Sequence, residues 1–274
     1  MSRRPYRLVR VLSAALAAGT LLTTTGCSDD GDTDGSRVSD VAASQVAGKR
    51  QTPSPTATLT TDGARAALIT EADIEDDWTQ VKDTEAENWH DSLLIGQVDV
   101  ADFLTAKAQA ADCRRLLGSL FDDDLLGKPS GASELRGFEQ GESRLLYQVA
   151  SYEPTGLRDS LNWMASLPET CDQFTATDHG EQRTVQVVET SLPDVGDARE
   201  GLRVTVRGTT GGTDAVLTLD VAAVRVGDDA ITVTAGGLDG GESDSVGQAV
   251  RSGTQRLKDV LAGKTPTPNP SEFD

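Results

Sequence analysis

The chain is poor in the residues that usually announce a chemistry. It has two histidines, His90 and His179, and three cysteines, Cys27, Cys113 and Cys171, in 274 residues. Neither histidine stands at ligand-like spacing from a cysteine, so no metal or cofactor is expected. No Gly-x-Ser-x-Gly elbow is present, and Asp178-His179 and His90-Asp91-Ser92 are sequence neighbours, which cannot by themselves build a triad. The glycine-rich stretch Gly236-Gly237-Leu238-Asp239-Gly240-Gly241 lacks the lysine and spacing of a phosphate loop. Acidic runs at 71–77 and 122–124 read as solvated helix ends rather than paired catalytic carboxylates. No catalytic residue is assigned, and an enzyme is not expected. Aromatic residues make up only 4% of the chain, and most read as core. Trp89, in a polar segment beside His90, is the one candidate for a ligand-binding pocket.

Basic residues are also scarce, 25 against 44 acids. Four of the 25 lie in residues 1–26, which hold no acid, so the rest carries a formal net charge of −23. Such a surface repels nucleic-acid phosphates and anionic headgroups, which excludes nucleic acid as a partner. Long apolar runs are missing as well. The longest, Val11 to Leu22, is 12 residues, short of the ~20 that span a bilayer.

What is present at the N-terminus is ordered like an export signal. Arg3, Arg4, Arg7 and Arg10 precede the apolar run; Thr24-Thr25-Gly26-Cys27 and a polar stretch follow. This is the layout of a signal peptide, residues 1–26, cut before a cysteine that receives a lipid. Cys27 is therefore the expected lipidation site, and the chain is expected on the extracytoplasmic face of the cell membrane. An uncleaved N-terminal anchor is the alternative. Ser2-Arg3-Arg4-Pro5-Tyr6 also resembles the start of a twin-arginine signal, so the export route stays open. Two acyl chains suffice for stable anchoring.

Residues 27–62 read as the anchor and a disordered Ser/Thr/Pro/Asp spacer, without an aromatic residue. Asp30, Asp32, Asp34 and Gly35 mimic half of a calcium loop, but Val41 stands where its bidentate glutamate belongs. Residues 264–274 read as a disordered tail. Between them, 63–263 is the length of one domain. Cys113 and Cys171 remain as an even pair in an oxidising compartment, for which a disulfide is the default and two buried thiols the alternative. Closing that loop would stabilise the fold by roughly 4 kcal/mol in the chain-entropy picture.

Thr70 caps a short helix, with Trp78 packed behind it. Cys113, Leu116, Leu117 and Leu120 fall on one face of a helix expected over Ala106–Leu126. Ser133–Phe138 and Arg144–Tyr152 read as a hairpin. Leu157, Leu161, Met164 and Ala165 mark a second helix, ended by Pro168. Strands follow around Val185–Val187, Leu202–Val206, Leu217–Val226 and Ile231–Val233, with a bulge suggested at Ala222-Ala223, where the apolar parity reverses. A helix over Ser243–Ala262 closes the domain. The order predicts an α+β fold, a single domain with an antiparallel sheet of about six strands flanked by helices.

Several segments together resemble the actinobacterial lipoproteins that carry a PknH-like extracellular sensor domain. They are Leu68-Ile69-Thr70-Glu71-Ala72-Asp73 through Trp78, Asp112-Cys113-Arg114-Arg115-Leu116-Leu117, and Leu146-Tyr147-Gln148-Val149 with Tyr152. Cys171-Asp172-Gln173-Phe174, Pro193-Asp194-Val195-Gly196-Asp197 and Arg225-Val226-Gly227-Asp228 follow in order. The resemblance implies a helix-flanked antiparallel sheet with a ligand-binding cleft. It implies no catalysis. Two functions follow as expectations. One is a membrane-anchored module that binds an envelope small molecule, lipid or partner protein. The alternative is a carrier of lipid or glycolipid between membrane and wall, which requires a large apolar cavity.

Overall fold

The computed structural model describes residues 58–74, 77–210 and 212–267; Cys27, the expected signal peptide, the expected spacer through residue 57 and the tail from 268 lie outside the described residues. Helix α1 (Thr61–Ala67) starts at Thr60, whose hydroxyl oxygen accepts from the Gly63 amide at 3.1 Å. Leu59 is buried, so residues that composition assigns to the spacer belong to the folded unit. Thr70 and Asp73 close a capping box around the 3-10 turn Glu71–Asp73, the short helix expected there. Trp78 packs behind it, its Nε1 donating to Ser245 Oγ at 3.3 Å.

From here to residue 126 regular structure comes in short pieces. They are β1 (Thr79–Gln80), α2 (Asp83–Ala86), α3 (Trp89–Ser92), the ribbon of β2 (Leu94–Ile95) with β3 (Val98–Asp99), α4 (Ala101–Leu104), β4 (Lys107–Ala108) and α5 (Ala111–Leu117). The helix expected over Ala106–Leu126 is thus only seven residues long. Its face is as expected, with Cys113, Leu116, Leu117 and Leu120 all buried. Gly118 ends the helix, and Leu120 reaches the same core from a turn.

Strands β5 (Ser133–Gln140) and β6 (Ser143–Ser151) form the expected hairpin, and α6 (Pro154–Thr170) is the second helix. It runs through Pro168 instead of stopping there. A proline so near the end forfeits a single amide bond, and the Cys171 amide still donates to the Leu167 carbonyl at 2.8 Å. The remaining elements are β7 (Gln173–Asp178), β8 (Glu181–Glu189), β9 (Ala198–Thr210), β10 (Thr213–Val226), β11 (Asp229–Gly237) and α7 (Ser243–Leu261).

The class is α+β, but the sheet has nine strands rather than about six, in the order β1-β5-β6-β11-β10-β9-β8-β7-β4, every pair antiparallel. The three strands beyond the expected six sit at or beside the edges. β1 and β4 are two residues each, too short for any periodicity. In β7 only Ala176 is buried, so no apolar alternation marks it.

The reversed parity in β10 is not a bulge. Pairing runs without interruption from Thr213 to Arg225 against β9, and from Thr218 to Val226 against β11. Leu217, Leu219, Val221 and Ala223 join the core on one face, while Ala222, Val224 and Val226 join that on the other. The strand enters from a half-wet region and ends covered on both faces, so its apolar pattern changes without a change of register. β11, in the middle, is buried at all nine positions.

Two layers therefore clothe one sheet. The irregular segment 83–126 and α6 cover one face, with Phe103, Leu116, Leu146, Met164 and Val204 in their core. Helices α1 and α7 cover the other, over Phe138, Tyr147, Val224 and Val233. No helix among the described residues is long and apolar enough to cross a membrane.

Candidate functional site

Beside α7, the connection between the adjacent strands β8 and β9 packs onto the face of the sheet that α7 covers. This connection, residues 190–197, is fixed at both ends. The Thr190 amide donates to the Gly201 carbonyl at 2.9 Å, and the Asp197 amide to the Arg225 carbonyl at 2.8 Å. Asp197 Oδ2 accepts from the Gly227 amide at 2.7 Å. Two glycines permit this path. A Cβ on Gly201 would come within 2.6 Å of the Thr190 carbonyl oxygen, and one on Gly196 (φ +72°) would collide with Val224. The segments 193–197 and 225–228, read separately in the sequence, thus meet in one hydrogen-bonded unit. Leu192 and Val195 pack from the connection onto the α7 core.

The connection leaves a depression on either side, and both share Ser191 and Leu192. One, of about 480 Å³, lies toward β9 and is bounded by Glu189, Arg199 and Glu200. The other, of about 460 Å³, lies toward α7 and is bounded by Ser243, Gln248 and Arg251. Together they form a groove walled mainly by polar and charged groups. Arg199 Nη1 is held 2.8 Å from Asp194 Oδ1. Burial pushes the Glu200 carboxyl above the usual carboxylate range; the charge of Glu189 adds to that, and Arg199 opposes it. Gly247 faces the second depression, where a Cβ would meet Pro193 and Arg251 only at 3.9 Å. Such a groove can take a polar ligand or an extended peptide, with carbonyl, hydroxyl, carboxylate and guanidinium groups to orient it.

Trp89 lies in the other layer. It is 3% exposed, edge-on to Phe121 with ring centroids 5.8 Å apart, and seated against the bare backbone of Gly137. A Cβ on Gly137 would stand 2.7 Å from Trp89 Cη2. The residue forms the floor of a third depression, of about 420 Å³, rimmed by Thr84, Asn88, Ser92 and Arg144. Its neighbour His90 points inward, with Nδ1 donating to the Leu120 carbonyl at 3.0 Å. His179 occupies the exposed β7–β8 turn. Cys113 and Cys171 are joined, both buried, and staple α5 to the end of α6.

The glycine-rich loop between β11 and α7 holds no phosphate cradle. Gly236 bridges to Gly241, and Gly237 packs against the Glu142 carbonyl so closely that a side chain would clash. Gly241 closes over Asp220, which accepts from Arg203 Nε at 2.9 Å and from Nη2 at 3.0 Å. The groove beside α7 went unseen in the sequence because its walls come from three separated segments. The available signal was the pair of Gly-Asp turns, Gly196-Asp197 and Gly227-Asp228.

No family model and no curated protein matches the chain. Its structure is similar to that of the extracellular domain of PknH from Mycobacterium tuberculosis, at 11% identity and a TM-score of 0.47, over 77% of this chain and 100% of that one. It is also similar to an uncharacterized Mycobacterium smegmatis protein, the Rv0999 ortholog, at 14% identity and a TM-score of 0.38, over 76% of this chain and 98% of that one. The sequence resemblance described above is to the same kind of domain as the first of these.

Proposed function

We propose that the chain is a lipid-anchored extracytoplasmic binding module, held to the membrane through Cys27, whose α7 groove takes a polar envelope ligand or a segment of a partner protein. The observation that carries this reading is the connection at residues 190–197, packed onto the α7 core through Leu192 and Val195. Its backbone is fixed at both ends, and its two flanking depressions present oriented polar groups. A preformed polar groove binds without first ordering a loop, which conserves affinity. The export signal and the Cys113–Cys171 bridge support an extracytoplasmic setting. The sensor role that the sequence resemblance implies belongs to this proposal, with the groove as its receiving surface.

The carrier alternative needs a large apolar cavity between sheet and helices. The space between the sheet and both layers is instead filled by side chains such as Phe103, Met164, Tyr147 and Val250, and the depressions described open to solvent. Native mass spectrometry of the full chain, purified in mild detergent from the envelope that exports it, tests both parts. The expected spectrum shows one covalent diacylglyceryl increment that Cys27→Ser removes, and no stoichiometric free lipid. A retained lipid-sized ligand would favour the carrier; an unmodified Cys27 would overturn the anchor.

A further inference from the structure

Three ligating side chains meet at the β4 end of the sheet, away from the groove. Asp102 lies in α4, Asp178 ends β7, and His179 holds the turn into β8. One ligand atom of each lies within 4.8 Å of the other two. His179 Nδ1 and Asp178 Oδ2 are 2.7 Å apart. The neighbouring charge is also fixed. Arg183 is 1% exposed, with its guanidinium over the Phe103 ring at 5.0 Å and its stem against Gly208. Its Nη2 stands 4.0 Å from Asp102 Oδ2 and 3.6 Å from Glu181 Oε2. Asp102 and Glu181 thus share one guanidinium, and with Asp178 beside Asp102 the cluster carries an excess of two negative charges.

We infer that Asp102, Asp178 and His179 form a binding site for a divalent transition-metal ion, with Zn²⁺ the ion their chemistry fits. The set offers one imidazole nitrogen and two carboxylates. Calcium and magnesium favour all-oxygen shells of six or more ligands, whereas zinc accepts mixed nitrogen and oxygen at about 2.0–2.2 Å. Ligand atoms around a tetrahedral zinc stand about 3.4 Å apart. The His179 side chain is 86% exposed, so packing does not hold its ring against closing on the carboxylates. The ion would take the place between His179 and Asp178 that a proton holds in their hydrogen bond. Three protein ligands leave a position open for water or an external donor. The ion would also tie α4 to the β7–β8 turn where the sheet edge is the two-residue β4.

The test is Zn²⁺ titration of the full chain, stripped with a chelator and held in detergent, against a competing fluorescent zinc indicator. The expected result is one equivalent bound, with affinity falling at least tenfold in His179→Ala and in Asp102→Asn, unchanged in His90→Ala, and with no comparable Ca²⁺ binding. Zinc should also raise the Tm of the wild type and leave that of His179→Ala unmoved. Circular dichroism of each variant checks that it folds, which the exposure of His179 favours. Zinc binding that survives both substitutions, no binding to the wild type, or equal binding of Ca²⁺ would overturn the assignment.

Discussion

The two layers of this protein are held to the same sheet by different means. The layer of α1 and α7 rests on a 19-residue helix with a continuous buried face, Val246, Ala249, Val250, Gly253 and Leu257. Its anchor is a side-chain clasp. Asp73 Oδ2 accepts from the Thr70 amide and hydroxyl at 2.9 Å and from Arg256 Nη1 at 3.2 Å, and Ser252 Oγ donates to the Asp73 carbonyl at 3.1 Å. The opposite layer has no long element between residues 81 and 126. Short turns there bury much apolar surface, their backbone bonds close mostly within single turns, and a covalent bridge from Cys113 to Cys171 holds them to α6. Regular secondary structure distributes its own restraint along a helix; irregular structure needs a staple. The proposed groove lies on the regular layer, where a fixed wall is available.

Breaking the staple should have the largest effect. Replacing Cys113 and Cys171 together by serine is expected to cost about 4 kcal/mol. Hydrogen exchange should then rise first in residues 83–126 while α7 stays protected. Breaking the clasp comes next. Asp73→Asn leaves Arg256 buried without its carboxylate and should cost about 3 kcal/mol by denaturant unfolding, with exchange rising in α1 and α7 instead. A third substitution sharpens the packing side of the comparison. Gly253 lies against the Tyr147 ring, with Cζ 2.8 Å from where a Cβ would be. Gly253→Val should therefore cost about 2 kcal/mol, despite adding a side chain to a helix.

The smallest effect belongs to the sheet that both layers share. Asp229 is buried at the start of β11, and burial raises its carboxyl above the usual range, although Ser151 Oγ donates to it at 2.6 Å. The folded state therefore binds this proton more readily than the unfolded chain does. The group's contribution to stability grows as pH falls through its folded value toward the ordinary carboxylate range, and declines as pH rises. Asp229→Asn should raise Tm slightly at pH 7, with the difference shrinking by pH 4. A thermal scan of both proteins across that range checks the sign.

The regular layer was legible in the sequence and the irregular one only in part. Val246, Val250, Leu257 and the Thr70 cap carry a period or a local bond that sequence alone displays. The β5–β6 hairpin and the half-wet β9, with Leu202, Val204 and Val206 inward, were legible for the same reason. Between residues 106 and 126 the apolar spacing was right but its carrier was not, since turns place Leu120 where a helix would have. β7 was invisible because a near-edge strand buries almost nothing. Of the sites, the cysteine pair could be read from its count. Trp89 could be singled out, but its burial depends on Gly137, 48 residues on. The groove could not be read, because residues 190–201 and 243–251 are far apart in the chain and meet only where α7 packs on the sheet.

Recognition is proposed to take place in the α7 groove. Photo-crosslinking in cells that export the full chain tests it most directly, with the reactive side chain placed at Gln248 in the groove or at Asn88 on the rim of the Trp89 depression. The expected result is a discrete adduct from Gln248 that is weakened when Arg251 is replaced by alanine, and none from Asn88. An adduct from Asn88 alone would move the site to the stapled layer and contradict it.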